Sequence, residues 1–275
     1  MTSRLKGLAY QMLGSVADAE DIVQEAQLRL HQVQPKPVST EAFLYKTVSN
    51  LCIDRLRRLK IERKHYQGPW LPEPFVDNEA HTAELAQDLS IGFILLLETL
   101  SPAERVVYVL REGFEFTFTE IADLLDISAA AARQRAHRAT VRLKQQPRVP
   151  PTPAKTQKSL LDALMLRMAA GDVQGLIDLM SEDAVAYTDG GGVVSAAIRP
   201  VTGRERIVQV AMHLVNKASA AGPLEPSYEP MNGGWAVVVR QNGEVFYCMM
   251  VDGTARRVSN FYVIRNPNKL SRLNL

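Results

Sequence analysis

The sequence contains little cysteine, few aromatic residues and no long hydrophobic run. Only 2 of its 275 residues are cysteine, and 7% are aromatic. Cys52 and Cys248 lie far apart, with no second Cys or His at metal-ligand spacing, so we expect neither a disulfide framework nor a zinc or iron–sulfur site, and no cofactor. No run of about 18 apolar residues is present. The N-terminus mixes polar and charged residues too closely for a signal peptide, so we expect a cytoplasmic protein.

The formal net charge is also small, at +2. Taken alone, this total argues against the strong positive field of a dedicated DNA-binding domain. The charges are nevertheless segregated into an acidic cluster over residues 18–25, a basic cluster over 55–64, an acidic stretch over 73–88 and a basic segment over 133–144. Because solvated helices usually mix charges of both signs, this pattern predicts separate contact surfaces.

Helical periodicity dominates the first half of the chain. Apolar residues recur at helical spacing over residues 5–33, with a break at Gly14 and Ser15, and again along a long helix that begins near Thr40. The basic cluster lies at the C-terminal end of the long helix, where cations also suit the helix dipole. Helices are predicted again over about 80–100 and 102–111. Prolines predict an extended linker over 68–74 and a second linker over 147–153.

A helix-turn-helix is predicted over residues 117–144. Its first helix opens with a capping box of Thr117 and Glu120, and a brief turn leads to the second helix. In the second helix Ala132 and Ala136 lie on a packing face, and the basic residues lie on another. This arrangement predicts a helix that enters the major groove of DNA, although a solvated amphipathic helix is the alternative.

Beyond the second linker the pattern changes from helical to mixed. Helices are predicted over about 159–170, 173–180 and 203–217, and strands over 184–188, 193–198, 235–241, 244–251 and 254–264. The pairs Asn242–Gly243 and Asp252–Gly253 are preferred in two-residue hairpin turns. The C-terminal domain is therefore predicted to be α+β, with a meandering antiparallel sheet.

Several motifs, in order, resemble those of a known family. The segment LAYQMLGSVADAEDIVQEA, residues 8–26, is similar to the polymerase-binding segment of the extracytoplasmic-function sigma factors of bacteria. The basic helix that ends near Lys64 resembles the promoter-melting segment of that family, and residues 118–143 resemble its second DNA-binding domain. WLPEP at 70–74, DGGG at 189–192 and NPNKL at 266–270 resemble the subgroup with a fused SnoaL-like C-terminal domain. The resemblance covers nearly the whole chain.

The resemblance implies a sigma factor that binds core RNA polymerase and directs promoter-specific transcription initiation, with activity modulated by the fused domain. The fold it implies is multi-domain, with two all-α domains followed by a cone-shaped α+β domain. The implied order is a domain for polymerase and the minus-ten element over 1–67, a WLPEP linker over 68–80, a helix-turn-helix domain for the minus-thirty-five element over 81–146, a proline-rich linker over 147–156 and the SnoaL-like regulatory domain over 157–275.

The resemblance also implies three groups of site residues. Those for docking on polymerase are Asp18, Glu20, Asp21, Gln24 and Glu25. Those for promoter DNA are Arg55, Arg57, Arg58, Arg63 and Lys64, followed by Arg133, Gln134, Arg135, His137, Arg138 and Arg142. Those for holding the inter-domain arrangement are Trp70, Leu71, Pro72, Glu73, Pro74, Asp189, Gly190, Gly191, Gly192, Asn266, Pro267, Asn268, Lys269 and Leu270. No catalytic residue, metal or membrane contact is expected.

Three features depart from the pattern of the family. About seven residues precede Leu8, fewer than is usual in the family, so we expect a shortened first helix. Asp126 stands in the turn where relatives commonly have Gly, which is tolerable because Asp adopts left-handed conformations more readily than most residues. Asn268 replaces the usual Asp, so we expect no salt bridge from that position.

Two other functions remain open from the residues themselves. Tyr187, Asp189, His213 and Tyr247 can be placed around one pocket for acid–base chemistry, as in polyketide cyclases of this fold. A lone His on an otherwise apolar helix is more often a packed residue, so this enzyme ranks second. A transcription regulator that senses a small molecule in its C-terminal pocket is also compatible with the sequence. The glycines of DGGG have a purely structural interpretation as well, because glycine permits tight turns.

Overall fold

The structure is a computed structural model that describes residues 1–76, 89–146 and 152–273. These residues form a helical unit (1–65, 89 and 93–146) and a C-terminal unit (66–76, 90–92 and 152–273). The acidic stretch, the helix predicted from about residue 80 and the second linker lie wholly or partly outside the described residues, and the domain limits stay predictions. Within the described chain, no helix is long and apolar enough to cross a lipid bilayer.

The helical unit begins with three helices whose ends carry the signals expected from the sequence. Helix α1 spans Thr2–Leu13, α2 spans Val16–Gln32 and α3 spans Thr40–Glu62, and a short 3-10 turn, Arg63–His65, follows. Gly14 ends α1 in the left-handed conformation. The hydroxyls of Ser15 and Ser39 cap α2 and α3 by accepting backbone N–H groups of the first turn. The sequence prediction of these helices is confirmed.

The rest of the helical unit contains the predicted helix-turn-helix. Helix α4 spans Ile91–Leu97, α5 spans Pro102–Tyr108 and continues into a π-helical turn, Val109–Gly113, α6 spans Phe118–Leu125 and α7 spans Ala129–Lys144. A capping box of Thr117 and Glu120 opens α6, and Asp126 ends it in the left-handed conformation with φ 52°. Ala132 and Ala136 are buried and let α7 pack closely on α5 and α6.

The C-terminal unit combines helices with one six-stranded sheet. Its helices are α8 (Ala154–Ala170), α9 (Val173–Leu179), α10 (Arg204–Ser219) and the short α11 (Pro267–Leu270), and a 3-10 turn, Ser271–Leu273, ends the described chain. Its strands are β1 (Met180–Asp189), β2 (Val201–Thr202), β3 (Glu225–Met231), β4 (Gly234–Gln241), β5 (Glu244–Gly253) and β6 (Val258–Ile264). The strand order is β2-β1-β6-β5-β4-β3.

The sheet contains the antiparallel meander that the sequence predicted and, in addition, one parallel pair. Strands β3 to β6 form the predicted antiparallel meander. Strand β1 instead pairs with β6 in parallel, because α10 and the whole meander carry the chain back to enter the sheet from the same end. Apolar residues from α8, α9 and α10 and from one face of this sheet form the core of the unit.

Two local predictions in this unit were wrong. No strand forms over 193–198: the chain passes through turns and loop there, with Val193 and Ile198 64% and 79% exposed. The preceding Gly191 and Gly192 take positive φ values of 64° and 72°, which turn the chain away from the sheet. The pair Asp252–Gly253 does not form a turn either, because both residues extend β5, and residues 254–257 make the connection to β6.

Two Asn-Gly pairs do form hairpin turns, with the positive φ values that such turns require. Asn242–Gly243 joins β4 to β5 as predicted, with φ values of 55° and 82°. Asn232–Gly233 makes an equivalent hairpin, with φ values of 54° and 74°, between β4 and a strand, β3, that the sequence prediction missed. Positive φ at both positions matches the twist of the flanking strands.

Candidate functional site

The acidic helix α2 presents part of its predicted docking surface and uses the rest in ion pairs. Asp21 and Gln24 are exposed. Asp18 accepts a hydrogen bond from Arg55 at 3.0 Å, and Glu20 pairs with Lys6 at 3.2 Å. Glu25 pairs along the helix with Arg29 at 2.7 Å. The available acidic surface of α2 is therefore narrower than the sequence cluster.

The basic end of α3 divides into exposed and engaged side chains. Arg57, Arg58 and Lys64 are exposed to solvent, and Arg57 also pairs with Asp54 at 2.9 Å. Arg55 is half-buried and binds both Asp18 and Glu62, each at 3.0 Å. It therefore ties α2 to α3, a structural role that the sequence analysis did not anticipate.

Arg63, predicted to contact DNA, lies mostly buried in a cluster centred on Glu98. The Glu98 carboxylate binds both Arg63 and Arg105, and Arg63 also donates to the carbonyl of Leu13 at 3.1 Å. The Arg105 guanidinium is fully buried and donates to the carbonyl of Gln11 at 2.7 and 3.0 Å. Burial alone would raise the pKa of Glu98, but the charges and hydrogen bonds of Arg105 and Arg63 together outweigh it and hold the pKa below the usual value. We call this group the Glu98 cluster.

The sequence analysis missed both Glu98 and Arg105. A weak signal existed, because Arg105 stands within the apolar run of α5, where an arginine needs a partner when it is buried. Its partners lie 7 and 94 residues away, so the pairing was not visible in the sequence.

Helix α7 carries the second set of predicted DNA contacts. Arg133, Gln134 and His137 are exposed, and Arg135 is half-buried. Arg138 and Arg142 are exposed as well, but each also binds the Glu104 carboxylate at 3.3 Å. Glu104 itself is buried and forms the capping box of α5 with Ser101. The basic face of α7 is thus present, with one acidic partner at its edge.

The three motifs of the C-terminal unit converge on one buried carboxylate. Asp189, fully buried at the end of β1, accepts the backbone N–H of Leu71 at 2.8 Å and the Nζ of Lys269 at 2.7 Å on one oxygen. Its other oxygen accepts the hydroxyl of Tyr66 at 2.5 Å and the backbone N–H of Gly191 at 3.0 Å. We call these five residues the linker cluster, because Tyr66 and Leu71 belong to the segment 66–76.

Lys269 binds the linker through further contacts. Its ammonium group donates to the carbonyl of Leu71 and lies 4.3 Å from the ring centroid of Trp70 and 5.3 Å from that of Tyr66. The amide of Asn266 also donates to the hydroxyl of Tyr66, at 3.0 Å. The linker is therefore attached to the C-terminal unit by charge, hydrogen bonds and aromatic contact together.

The DGGG glycines have a steric reason to be glycine. A Cβ on Gly190 would come within 2.3 Å of the carbonyl oxygen of Val194, and a Cβ on Gly191 would come within 2.3 Å of the amide of Asn266. Gly192 also has positive φ but is exposed, at the rim of the cluster. Steric crowding therefore explains why Gly190 and Gly191 are glycine, in agreement with the purely structural interpretation, and both residues also lie just after Asp189 in the chain.

The other predicted regulatory residues near the linker cluster differ in how far they are buried. Pro72, Pro74 and Leu270 are buried, and Glu73 is half-buried. Pro267 and Asn268 are exposed, and the ion pair of this motif comes from Lys269 instead of position 268. Tyr66 was not in the predicted set, although it follows the basic cluster directly.

The structure does not bring the four candidate catalytic residues together. Tyr247 lines a cavity of about 350 Å³ in the C-terminal unit. Asp189 is engaged in the linker cluster, Tyr187 stacks on Tyr262 with ring centroids 5.8 Å apart, and His213 is exposed on α10. Among the residues that the structure describes, no group of three or more His, Cys, Asp or Glu residues is placed to hold a metal ion.

Comparison with known proteins identifies similar chains. Two family models match, Sigma-70 region 2 over residues 2–61 and Sigma-70, region 4 over residues 92–143. The ECF RNA polymerase sigma factor SigJ of Mycobacterium tuberculosis is 37% identical over 79% of this chain and 72% of its own length. The probable ECF RNA polymerase sigma factor SigI of the same organism is 25% identical over 98% of this chain and 92% of that protein.

A solved structure extends the similarity to the fold. The crystal structure of Mycobacterium tuberculosis extracytoplasmic function sigma factor SigJ matches with a TM-score of 0.78 and 30% identity, over 98% of this chain and 95% of that one. The match covers both units and confirms the predicted fold class, helical regions followed by a SnoaL-like α+β domain.

Proposed function

The chain belongs to the extracytoplasmic-function sigma factors, which bind core RNA polymerase and direct promoter-specific transcription initiation, and we propose that its two units divide this work between promoter recognition and regulation. The helical unit contains the sequence matches to region 2 and region 4. The C-terminal unit contains the linker cluster. The positions of the predicted site residues support this division.

Polymerase docking and DNA contact are assigned to exposed charged and polar side chains of the helical unit. On α2, the exposed Asp21 and Gln24 are the residues available for the polymerase. On α3, Arg57, Arg58 and Lys64 are available for promoter DNA. Because phosphate contacts fix the register and base contacts give the sequence preference, both kinds of contact are needed from these surfaces.

The recognition helix is assigned to α7. Its exposed Arg133 and Gln134 lie in the N-terminal half of the helix, the part that reads base edges in helix-turn-helix proteins, and His137 lies one turn further along. Replacing Arg135 and Arg138 by Ala is expected to remove promoter selectivity and to leave core binding intact. Loss of core binding would instead assign these residues a structural role.

Regulation is assigned to the linker cluster, and the observation that carries it is the set of four hydrogen bonds to buried Asp189. Two of the four donors, Tyr66 and Leu71, lie in the segment that joins the region 2 match to the region 4 match. A linker held by the C-terminal unit cannot extend freely between the two DNA-binding regions, so the strength of this attachment sets their freedom to reach two promoter elements.

Run-off transcription with purified core polymerase tests the regulatory assignment. Asp189→Asn removes the charge that binds Lys269 and is expected to change promoter output several-fold. Asp183→Asn, an exposed position on the same strand, is the matched control and should leave output unchanged. Unchanged output from a folded Asp189→Asn protein would contradict regulation through the linker cluster, and no promoter-specific product from the natural sequence would contradict promoter recognition.

A second role for the C-terminal unit, binding of a small molecule, is supported by its cavity of about 350 Å³. The size lies within the range of about 300–1,000 Å³ that is usual for ligand pockets. A catalytic role is less well supported, because Asp189 and His213 do not line this cavity with Tyr247. We therefore assign the cavity to binding and not to acid–base chemistry.

A further inference from the structure

The cavity of the C-terminal unit is apolar along its length. Its walls come from α8, α9 and α10 on one side and from the sheet on the other, with Leu164, Met168, Leu214, Met249, Phe261 and Val263 among the lining residues. Residues 261, 263 and 265 alternate onto the same side at the end of β6. The apolar wall made by Phe261 and Val263 therefore leads directly to the guanidinium of Arg265.

The charge of the cavity wall has one sign. Arg265 and Lys217 are the charged side chains among the lining residues, all of which the structure describes, and no acidic residue accompanies them. Lys217 is exposed at the rim, whereas Arg265 is half-buried. The wall therefore offers positive charge at a site that is otherwise hydrophobic.

Arg265 is also incompletely satisfied. One of its terminal nitrogens donates to the carbonyl of Ser195 at 2.5 Å, but its Nε atom is buried and makes no hydrogen bond to any described residue. No described carboxylate lies within ion-pair distance of it, unlike Arg240 in the same unit, which binds Glu229 at 3.0 Å. Burial lowers the pKa of Arg265, consistent with a guanidinium that lacks a counter-charge. A half-buried cation without an acidic partner is stabilised by an anion.

Another polar side chain, that of Tyr247, lines the same cavity as Arg265. Burial raises the pKa of Tyr247 to about 12, against the opposing charge of Arg265, so its hydroxyl stays protonated at neutral pH. A protonated phenol can donate a hydrogen bond and cannot compete as an anion. The pair therefore suits a ligand group that accepts hydrogen bonds and carries negative charge.

We propose that the cavity binds an amphipathic carboxylate, with its carboxylate group at Arg265 and its hydrocarbon body along the apolar walls. The proposal rests on the small-molecule role given above and names its ligand class. A volume of about 350 Å³, at about 30 Å³ for each water-sized group, accommodates roughly twelve non-hydrogen atoms. Decanoate, with about twelve such atoms, is therefore a suitable probe.

The position of Arg265 connects this site to the linker cluster. The backbone N–H of Arg265 donates to the carbonyl of Asp189 at 2.7 Å, and the next residue, Asn266, donates to the hydroxyl of Tyr66. The side chain of Arg265 also holds Ser195, in the loop that follows DGGG. An anion that draws the guanidinium away from Ser195 changes contacts on both sides of Asp189, so occupancy of the cavity is expected to alter promoter output.

Isothermal titration calorimetry of the full-length protein tests the binding claim. Decanoate is expected to bind at one site, more tightly than decanol by roughly tenfold or more, because the alcohol lacks the negative charge and the second acceptor oxygen that pair with a guanidinium. Decylammonium is expected not to bind. Arg265→Gln should remove the preference for decanoate over decanol, whereas Arg256→Gln, at an exposed position of the same unit, should keep it. Ala211→Phe, in the wall of the cavity, should reduce binding of both probes.

Each outcome decides the proposal. Equal affinity for decanoate and decanol, no binding to the folded protein, or full decanoate binding by Arg265→Gln would overturn it. If Arg265→Gln does not fold, two measurements still test the proposal. They are binding of the probes to Ala211→Phe and the comparison of decanoate with decanol on the natural sequence. Run-off transcription with and without decanoate is measured separately. Binding of decanoate without a change in promoter output would support the ligand class and contradict the regulatory role. Failure of the binding claim and failure of the regulatory claim are therefore distinguishable.

Discussion

The two units of the molecule use the same chemistry, a carboxylate shared by several donors, in opposite surroundings. In the C-terminal unit, Asp189 and Lys269 have side chains 0% and 8% exposed. In the helical unit, Glu104 is buried, but its partners Arg138 and Arg142 are 49% and 47% exposed. The first pair holds a fold element in place, and the second leaves its arginines exposed to solvent.

This difference sets what each pair can do. Breaking one partner of a buried pair leaves an uncompensated charge in a low-dielectric environment, which is strongly destabilising. Exposed pairs contribute about 0–1 kcal/mol because water and salt compensate for their loss. The buried Asp189–Lys269 pair is costly to break, which suits an attachment that is either fully formed or fully lost. The weak pairs of Arg138 and Arg142 with Glu104 suit a surface on which these arginines exchange the Glu104 carboxylate for a phosphate group.

The largest effect is expected from Lys269→Met, which leaves the Asp189 carboxylate buried without its cation. The expected loss of stability of the C-terminal unit is about 3–5 kcal/mol, the usual cost of breaking a buried ion pair. Urea unfolding followed by tryptophan fluorescence reports this unit alone, because both tryptophans, Trp70 and Trp235, lie in it. Lys155→Met, at an exposed site, is the control.

A double-mutant cycle tests whether the loss of stability in Lys269→Met comes from the charge pair with Asp189. Asp189→Asn combined with Lys269→Met removes both charges and should recover part of the stability that Lys269→Met loses. If the two losses simply add, the attachment of the linker does not depend on the charge pair.

An intermediate effect is expected from Glu98→Gln in the helical unit. Its carboxylate is 26% exposed, yet one partner, Arg105, has a side chain only 2% exposed. Loss of charge from the hydrogen bonds to the two arginines is expected to cost about 2 kcal/mol. The unfolding transition of this unit is the one seen by far-ultraviolet circular dichroism and absent from tryptophan fluorescence. A change confined to the fluorescence transition would contradict the assignment of Glu98 to this unit's stability.

The Glu98 cluster also predicts how the helical unit responds to acid. Burial acts to raise the pKa of Glu98, and the charges and hydrogen bonds of Arg105 and Arg63 together lower it further than burial raises it. A carboxyl whose pKa is lower in the folded state stabilises the fold above the unfolded value, here 4.5, and this stabilisation is lost as pH falls through the folded pKa. Stability of the helical unit should therefore fall below about pH 4.5. Glu98→Gln should show a smaller decline over the same range, and an equal decline would assign the acid sensitivity to other carboxylates.

Most elements of the fold could be predicted from local sequence signals. The capping boxes, the left-handed Asp126 and the Asn242–Gly243 turn depend on residues a few positions apart, so their chemistry is visible in the sequence. The predicted strand over 193–198 failed because its apolar composition resembles a buried strand, although the glycine turn before it directs Val193 into solvent. Strand β3, with two prolines and two glutamates, is a weak strand signal that only pairing with β4 resolves.

The candidate sites were predictable only in part. Motif resemblance placed Asp189, Lys269 and Leu71 in one regulatory set, but the hydrogen bonds that join them cross 80 to 198 residues of chain. Tyr66 escaped notice for the same reason, because its partner lies 123 residues away. The engagement of Arg55 with Asp18 and of Arg63 with Glu98 also depends on helix packing and cannot be read from composition.

The smallest effect is expected from Glu104→Gln, which tests the pairs that Glu104 forms with the exposed Arg138 and Arg142. Glutamine preserves the capping box of α5, since it can still accept from the Ser101 backbone, and removes only the charge that binds Arg138 and Arg142. With two weak pairs released, affinity of the protein bound to core polymerase for a labelled promoter duplex should rise roughly two- to fivefold at low salt.

The salt dependence and a matched control decide whether the effect belongs to the pairing with Glu104. The gain should disappear at high ionic strength, because screening weakens surface ion pairs and phosphate contacts alike. Asp123→Asn removes an exposed charge from α6 without touching either arginine, so it reports the effect of net charge alone. A gain as large in Asp123→Asn would mean that Glu104 does not compete with DNA for the recognition helix, and the proposed exchange of carboxylate for phosphate on α7 would have to be abandoned.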